Sequence, residues 1–161
     1  QDVTDVTLQN FHHALANGFT FNGDFSLVNT GTGKIRFASI SGTENKTIAI
    51  TGNLNISGGT LETTGSGASG AIIRTNVLGN LNISGGSLFL VASSTPFECN
   101  LSGNFNMTGG TVTKGSGAGN FNFNKNGTQT FTKTAGTITN GGSGIFNFNV
   151  RSEERRVGKE C

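Results

Sequence analysis

The groups best able to do chemistry in residues 1–150 are six carboxylic acids: Asp2, Asp5, Asp24, Glu44, Glu62 and Glu98. Sites that cleave polysaccharides need clustered acids, or acids beside Arg or Lys, to bind calcium, abstract a proton or protonate a leaving group. These acids are widely separated in sequence, and none recurs at a regular interval. The sequence therefore predicts solvated surface carboxylates and no catalytic site.

Metal and cofactor sites are not expected either. His12 and His13 are adjacent, so on a strand their side chains point to opposite faces and do not easily ligate one metal. The glycine runs GSGASG, GSGAG and GGSG lack the spaced Asp of calcium-binding repeats and the Lys-Ser/Thr of a phosphate loop. We expect these runs to be bends.

The remaining composition excludes other classes of function. Cys99 lies between Phe97 and Leu101, an apolar context that is typical of a small buried hydrophobe. The basic residues of this part of the chain form no dense patch, so nucleic acid is not an expected partner. No run approaches the ~18 apolar residues of a membrane span.

A ten-residue phrase recurs three times and organises the chain. It reads GNLNISGGTL from Gly52, GNLNISGGSL from Gly79 and GNFNMTGGTV from Gly103, and a looser copy, TQTFTKTAGTIT, begins at Thr128. A fixed period of this size is typical of a solenoid, in which each repeat is one turn stacked on the last.

The period follows from the hydroxyl residue after each glycine pair. Thr60, Ser87, Thr111 and Thr137 are separated by 27, 24 and 26 residues. Within each repeat, apolar and polar residues alternate, as in NLNIS, NFNMT and NFNFN, which predicts short half-buried strands. The Gly58–Gly59 pair is predicted to turn a corner with positive φ.

Three short strands and three bends in each repeat predict an all-β fold, a right-handed parallel β-helix with about five to six turns of roughly 24–27 residues. Leu54, Ile56, Leu61 and Ile72, with their counterparts, are predicted to point inward and stack on the next turn. Recurring asparagines are predicted to form hydrogen-bonded ladders. An antiparallel β-sandwich or barrel is the alternative.

The region before the repeat phrase is less regular. Gly18–Leu27, Lys34–Ile40 and Lys46–Thr51 are predicted to supply one longer turn, and Thr4–Gln9 is predicted to begin another. Phe11–Asn17 is the only helix candidate. We expect residues 1–150 to form a single solenoid that is a piece of a longer protein, since the chain begins at Gln1 without an initiator Met.

The last eleven residues, RSEERRVGKEC, differ from the rest of the chain. They hold seven of its twenty charges and no repeat element. The string resembles the in-frame translation of a common short-read sequencing adapter. We therefore predict that residues 151–161 are an artefactual tail outside the fold, which reduces the net charge of the remainder to +1.

The phrases at Gly52–Thr60, Gly79–Ser87, Gly103–Thr111 and Asn120–Thr132 resemble long Gly/Asn/Thr-rich repeat proteins of Bacteroidota. The resemblance covers roughly Gly18–Val150. It implies a secreted or cell-surface bacterial protein associated with type IX secretion, extracellular or attached to the outer membrane, with an adhesin-like or matrix role.

The sequence thus predicts a non-catalytic structural or adhesin-like repeat region, with surface polysaccharide or other cell-surface components as partners. One alternative is a non-catalytic portion of a β-helical polysaccharide-processing enzyme. Another is an ice-binding solenoid, although the row that holds Thr113 and Thr139 is predicted to be broken by Phe89 and Glu62. Unpaired strands at each end of a solenoid favour self-association.

Overall fold

The computed structural model of the chain describes residues 2–3, 11–12, 19–38, 45–64, 71–90 and 95–150. These residues form eighteen β-strands and no helix. In chain order the strands are β1 (Asp2–Val3), β2 (Phe11–His12), β3 (Phe19–Phe21), β4 (Phe25–Leu27), β5 (Ile35–Ala38), β6 (Lys46–Ile50), β7 (Leu54–Ile56), β8 (Thr60–Thr64), β9 (Ile73–Val77), β10 (Leu81–Ile83), β11 (Ser87–Phe89), β12 (Phe97–Leu101), β13 (Phe105–Met107), β14 (Thr111–Lys114), β15 (Gly119–Phe123), β16 (Phe131–Lys133), β17 (Thr137–Asn140) and β18 (Phe146–Val150).

Every third strand lies in the same sheet. Sheet 1 has the order β1-β4-β7-β10-β13-β16, sheet 2 runs from β2 to β17 and sheet 3 from β3 to β18 in the same manner. All of the pairings are parallel. The chain is therefore a parallel β-solenoid, and the antiparallel alternative is wrong. The right-handedness of the β-helix and the count of five to six turns stay predictions. The artefactual tail also stays a prediction, because residues 151–161 lie outside the described residues.

The register follows the repeat phrase. Ser87 lies opposite Thr60 on one side and Thr111 on the other, and Thr111 lies opposite Thr137. The spacing of 27, 24 and 26 residues is thus the length of one turn at each step. Residues at the same position of successive turns are direct neighbours, which confirms the alignment made from the sequence.

The corner between sheets 1 and 2 requires its second glycine. Gly59, Gly86, Gly110 and Gly136 have φ of 70°, 65°, 70° and 81°, a region that costs an L-residue with a side chain about 1–2 kcal/mol. The positive φ predicted for this corner is confirmed at its second position. The first position accepts alanine in the last turn, where Ala135 precedes Gly136.

The core consists of columns of inward side chains. Leu54, Leu81 and Phe105 form one column on sheet 1, and the Phe105 ring stacks on Phe131 with centroids 4.5 Å apart. Burial of each large side chain contributes roughly 1.5–3 kcal/mol. Leu61 is fully buried on sheet 2, so three of the four inward residues predicted by name are confirmed.

The fourth, Ile72, is wrong by one residue. Ile73 is 1% exposed and Ala71 is fully buried, whereas Ile72 is only partly buried. Three consecutive apolar residues made the alternation ambiguous from the sequence. The parallel pairing with Lys46–Ile50 resolves it, because Thr75 and Val77, which share a face with Ile73, lie opposite the buried Ile48 and Ile50.

Two predictions upstream of the repeat phrase also need correction. Gly18–Leu27 holds two strands of different sheets, Phe19–Phe21 and Phe25–Leu27, separated by a bend at Gly23 with φ of 107°. Phe11–His12 is a strand paired with β5 and not the start of a helix. Residues 13–17 of that helix candidate lie outside the described residues, as does Thr4–Gln9.

The three corners differ in how much length they allow. From β7 onward, three residues separate each sheet 1 strand from the next sheet 2 strand. Between sheets 2 and 3, from β5 onward, the connections hold seven, eight, seven, four and five residues. Between sheets 3 and 1 the connections hold three residues, except between β15 and β16, where seven residues separate the strands. The repeat therefore varies in length at the second corner and, in the last turn, at the third.

Candidate contact surface

A ladder of side-chain amides runs along the outer face of sheet 1. The Asn82 Nδ2 donates to Asn55 Oδ1 at 2.8 Å, and the Asn106 Nδ2 donates to Asn82 Oδ1 at 2.9 Å. The ladder begins with a hydrogen bond of 3.2 Å from Asn55 Nδ2 to Ser26 Oγ. These asparagines alternate with buried Leu, Ile, Phe or Met in the strand, so the pleat of the sheet points them outward.

A second amide ladder runs along the outer face of sheet 3. It contains Asn76, Asn100, Asn122 and Asn149, and each of its three hydrogen bonds is 2.8 Å long. Beside it, Asn147 Nδ2 donates to Asn120 Oδ1 at 3.0 Å. The asparagine ladders predicted from the sequence are confirmed on both faces.

The asparagine of each Gly-Asn pair bonds to the backbone and not to another side-chain amide. Asn80 N donates to Asn53 Oδ1 at 2.8 Å, and Asn104 N donates to Asn80 Oδ1 at 2.8 Å. At this corner the side-chain oxygen accepts a backbone N–H of the following turn. In the first turn of this row, Asp24 Oδ1 accepts a hydrogen bond from Asn53 N at 2.7 Å. This bond, together with the hydrogen bonds from the Asn53 side chain, holds the pKa of Asp24 below its ordinary value.

Glu62 is not the solvated surface charge that the sequence predicts. Its side chain is 5% exposed and accepts hydrogen bonds from Lys34 Nζ at 2.6 Å and from Arg36 Nε. Arg36 lies directly opposite Glu62 in the preceding turn, so the ion pair joins two turns of sheet 2. These hydrogen bonds satisfy the buried carboxylate of Glu62, so the role of this side chain is structural.

A second ion pair joins turns of sheet 3. Arg74 Nε donates to Glu98 Oε2 at 2.7 Å, and the two residues are register neighbours. A signal for both clusters was present in the sequence, because Arg36 and Glu62 are 26 residues apart and Arg74 and Glu98 are 24 apart. Each separation is one repeat length.

The described acids do not converge on one site. Glu62 lies on sheet 2, Glu98 on sheet 3 and Asp24 beside sheet 1. Among the described residues there is no group of three or more His, Cys, Asp or Glu that could hold a metal ion. Asp2 and His12 belong to β1 and β2, while Asp5, Glu44 and His13 lie outside this part of the chain.

Two titratable side chains, those of Cys99 and Lys114, are buried in the core. Cys99 is 3% exposed in the core, as predicted, and burial raises the pKa of its thiol to about 12. Lys114 is fully buried on sheet 2, where its Nζ donates to Gly117 O at 2.6 Å. Burial lowers the pKa of the Lys114 ammonium.

The threonine row on sheet 2 is interrupted as the sequence predicts. Thr113 and Thr139 are opposite each other, with Oγ1 atoms 3.1 Å apart. Phe89 and Glu62 occupy the same row in the two preceding turns. The regular outer surfaces are therefore the asparagine ladders of sheets 1 and 3.

Comparison with known proteins adds no family to this description. No protein-family model matches the chain, and neither the curated proteins nor the solved structures yield a significant match. The described residues also contain no helix with the length and apolar character needed to cross a membrane.

Proposed function

We propose that this chain is a non-catalytic structural or adhesin-like repeat region of a secreted or cell-surface bacterial protein. The observation that carries the proposal is the pair of amide ladders on sheets 1 and 3. Each interior ladder amide uses one N–H and one oxygen lone pair along the axis, and a second N–H and a second lone pair remain for a ligand.

The repeat of the ladders defines the chemistry of the partner. Adjacent turns of a parallel sheet are separated by about 4.8 Å, so each ladder presents uncharged donors and acceptors at that interval. A neutral polymer with many hydroxyl groups, such as a surface polysaccharide, matches such a face. Each contact is weak, and many aligned contacts act together through multivalency.

The rigidity of the faces supports the same role. The ladder amides are fixed by their neighbours, and the strands beneath them pack on a core of fully buried side chains. A contact surface that is already ordered loses little side-chain entropy when it binds. The same features suit a stiff stalk.

The test is co-sedimentation of the chain with insoluble polysaccharides of different linkage. The triple variant Asn55→Thr, Asn82→Thr and Asn106→Thr removes the sheet 1 amides and retains strand preference, since Thr132 already occupies this row in the last turn. The sheet 3 variant Asn100→Thr with Asn122→Thr is the matched comparison.

Loss of polysaccharide binding in either variant, with unchanged far-UV circular dichroism, supports an amide contact face. If binding stays at the wild-type level after both ladders are removed, that assignment is refuted. A chain that binds no polysaccharide at all leaves the adhesive part of the proposal wrong.

The alternatives have different discriminators. A non-catalytic portion of a polysaccharide-processing enzyme requires an acidic or basic cluster on one face of flanking turns. Ice binding requires a regular threonine array, and the interrupted row on sheet 2 does not favour it.

A further inference from the structure

Three rows of short polar side chains run side by side along the outside of sheet 1. The middle row contains the amide ladder, and the other two rows flank the strands at either end. In the turns of β7, β10, β13 and β16, every position of these rows is Asn, Ser or Thr. The rows are Asn53, Asn80, Asn104 and Thr130; Asn55, Asn82, Asn106 and Thr132; and Ser57, Ser84, Thr108 and Thr134.

Hydrogen bonds between turns keep the flanking rows in the register of the strands. Ser84 N donates to Ile56 O at 2.9 Å, and Thr108 N donates to Ile83 O at 2.8 Å. Neighbouring turns are about 4.8 Å apart, and alternate residues of a strand are about 6.6 Å apart. The three rows therefore form a two-dimensional array of uncharged polar groups, which we term the sheet 1 lattice.

The lattice has donors that the protein does not use. Asn53 Nδ2 donates to the Asp24 carboxylate at 3.2 Å. By contrast, Nδ2 of Asn80 and Nδ2 of Asn104 make no hydrogen bond within the described residues, although the Oδ1 atom of each is held by a backbone N–H. Both side chains are only half-buried, so these N–H groups are available to the hydroxyl or ether oxygens of a ligand.

The outer faces of the other two sheets are less uniform. On sheet 2 the row of Thr113 and Thr139 is interrupted by Phe89 and Glu62. On sheet 3 the Arg74–Glu98 ion pair lies beside the amide ladder. Sheet 1 is thus the face on which charged and large side chains are absent from the rows listed above.

The shape of the lattice favours a flat ligand. None of its side chains is larger than asparagine, so none projects far enough to enclose a single polymer chain. A dissolved chain would touch this surface on one side only and would lose its conformational freedom on binding. Chains packed in an ordered solid have already lost that freedom, and they meet a flat lattice over its whole area.

We infer that the sheet 1 lattice binds the ordered surface of an insoluble, neutral polysaccharide and not a dissolved polysaccharide chain. This assignment rests on the proposed function and specifies the physical form of its ligand. The ligand is neutral because the lattice holds no charge to complement an ionic group. Its hydroxyl and ether oxygens recur in parallel rows, so many weak contacts form together.

The test is a set of binding isotherms of the chain on crystalline cellulose, crystalline chitin and crystalline (1→3)-β-glucan. Each polymer is compared with its own amorphous form at equal surface area. We expect the crystalline form of at least one polymer to bind about tenfold or more tightly than its amorphous form, and soluble oligosaccharides of that polymer not to compete.

Two matched variants locate the contact. Asn82→Lys places a long charged side chain in the middle of the lattice and is expected to weaken binding about tenfold or more. Asn122→Lys makes the same change in the interior of the sheet 3 ladder and is expected to bind like wild type. If N82K is unfolded by circular dichroism, Ser84→Lys replaces it, because Ser84 is an exposed position of the lattice.

The outcomes separate this inference from the proposed function. Equal binding to crystalline and amorphous forms overturns the inference and leaves the proposed function intact. Loss of binding in N122K, with wild-type binding by N82K or S84K, assigns the contact to sheet 3 and also overturns it. A chain that binds none of the polymers overturns the inference together with the adhesive part of the proposed function.

Discussion

The second glycine of the first corner combines a positive φ with a close approach to the preceding turn, and Gly86→Ala tests both constraints. Gly86 has φ of 65°. A Cβ at this position would lie 2.6 Å from Gly58 C and 2.6 Å from Gly59 O, both backbone atoms of the preceding turn. Neither atom can rotate away, so the turns themselves must move apart.

The expected loss of stability has two parts. Alanine in the left-handed region costs about 1–2 kcal/mol. Relief of the contact requires a local movement of 0.8 Å, the difference between 2.6 Å and an ordinary contact of 3.4 Å. That movement weakens the hydrogen bonds from Ser87 N to Gly59 O at 2.8 Å and from Thr111 N to Gly86 O at 2.9 Å, each worth about 1 kcal/mol. The free energy of unfolding should fall by about 3–4 kcal/mol.

Gly127→Ala is the matched control. Gly127 has φ of 84°, and a Cβ there would meet nothing within 4 Å, so only the backbone part of about 1–2 kcal/mol applies. Urea denaturation followed by circular dichroism measures both variants. Equal losses at the two positions would refute the reasoning that the corner glycine is required by the neighbouring turn.

Three further predictions concern buried polar groups and the thiol. Lys114→Met should stabilise the fold by about 1–2 kcal/mol at neutral pH, because a desolvated ammonium is replaced by an apolar chain of similar length. Since burial lowers the pKa of Lys114 from its ordinary 10.5, wild-type stability rises as pH approaches that value, and the advantage of K114M should shrink in alkaline urea titrations. Glu62→Gln should cost about 1–3 kcal/mol, against less than about 1 kcal/mol for Glu98→Gln in its more exposed ion pair. Cys99, with a pKa of about 12, should react with a thiol reagent at pH 8 only after unfolding.

Each of these has an outcome that contradicts it. A K114M advantage that is constant with pH would mean that the ammonium is not desolvated. Equal effects of the two glutamate substitutions would remove the distinction in burial. Rapid labelling of Cys99 in the folded chain would place the thiol at the surface.

The repeat phrase made the architecture predictable because backbone conformation and hydrogen bonds between turns require glycine and asparagine at fixed positions of the phrase. The second glycine of the corner adopts positive φ. The asparagine of the Gly-Asn pair accepts a backbone N–H from the same corner of the following turn. The alternation of Asn with apolar residues places the amides on the outer face and the apolar side chains in the core. A residue type that is fixed by backbone conformation or by a neighbour of the same type can be located from sequence alone.

The burial of Glu62 and the upstream turn could not be predicted in this way. Glu62 acquires its environment from Lys34 and Arg36 in a turn whose sequence does not match the phrase. Its burial is a property of the stack and not of the strand that carries it. In Gly18–Leu27 the bend at Gly23 is a single Asn-Gly step inside an alternating segment, so the change of sheet carries little signal.

The corner between sheets 2 and 3 has a practical consequence. Since its length varies from four to eight residues while the columns on either side keep their register, foreign peptides inserted there should not disturb the stack. Ser116 and Ala118 in the described connection between β14 and β15 are exposed. Inserts in successive turns would project from the same edge with a spacing of about 4.8 Å. The solenoid is thus suited to serve as a scaffold on which short peptides can be displayed in a dense, ordered row.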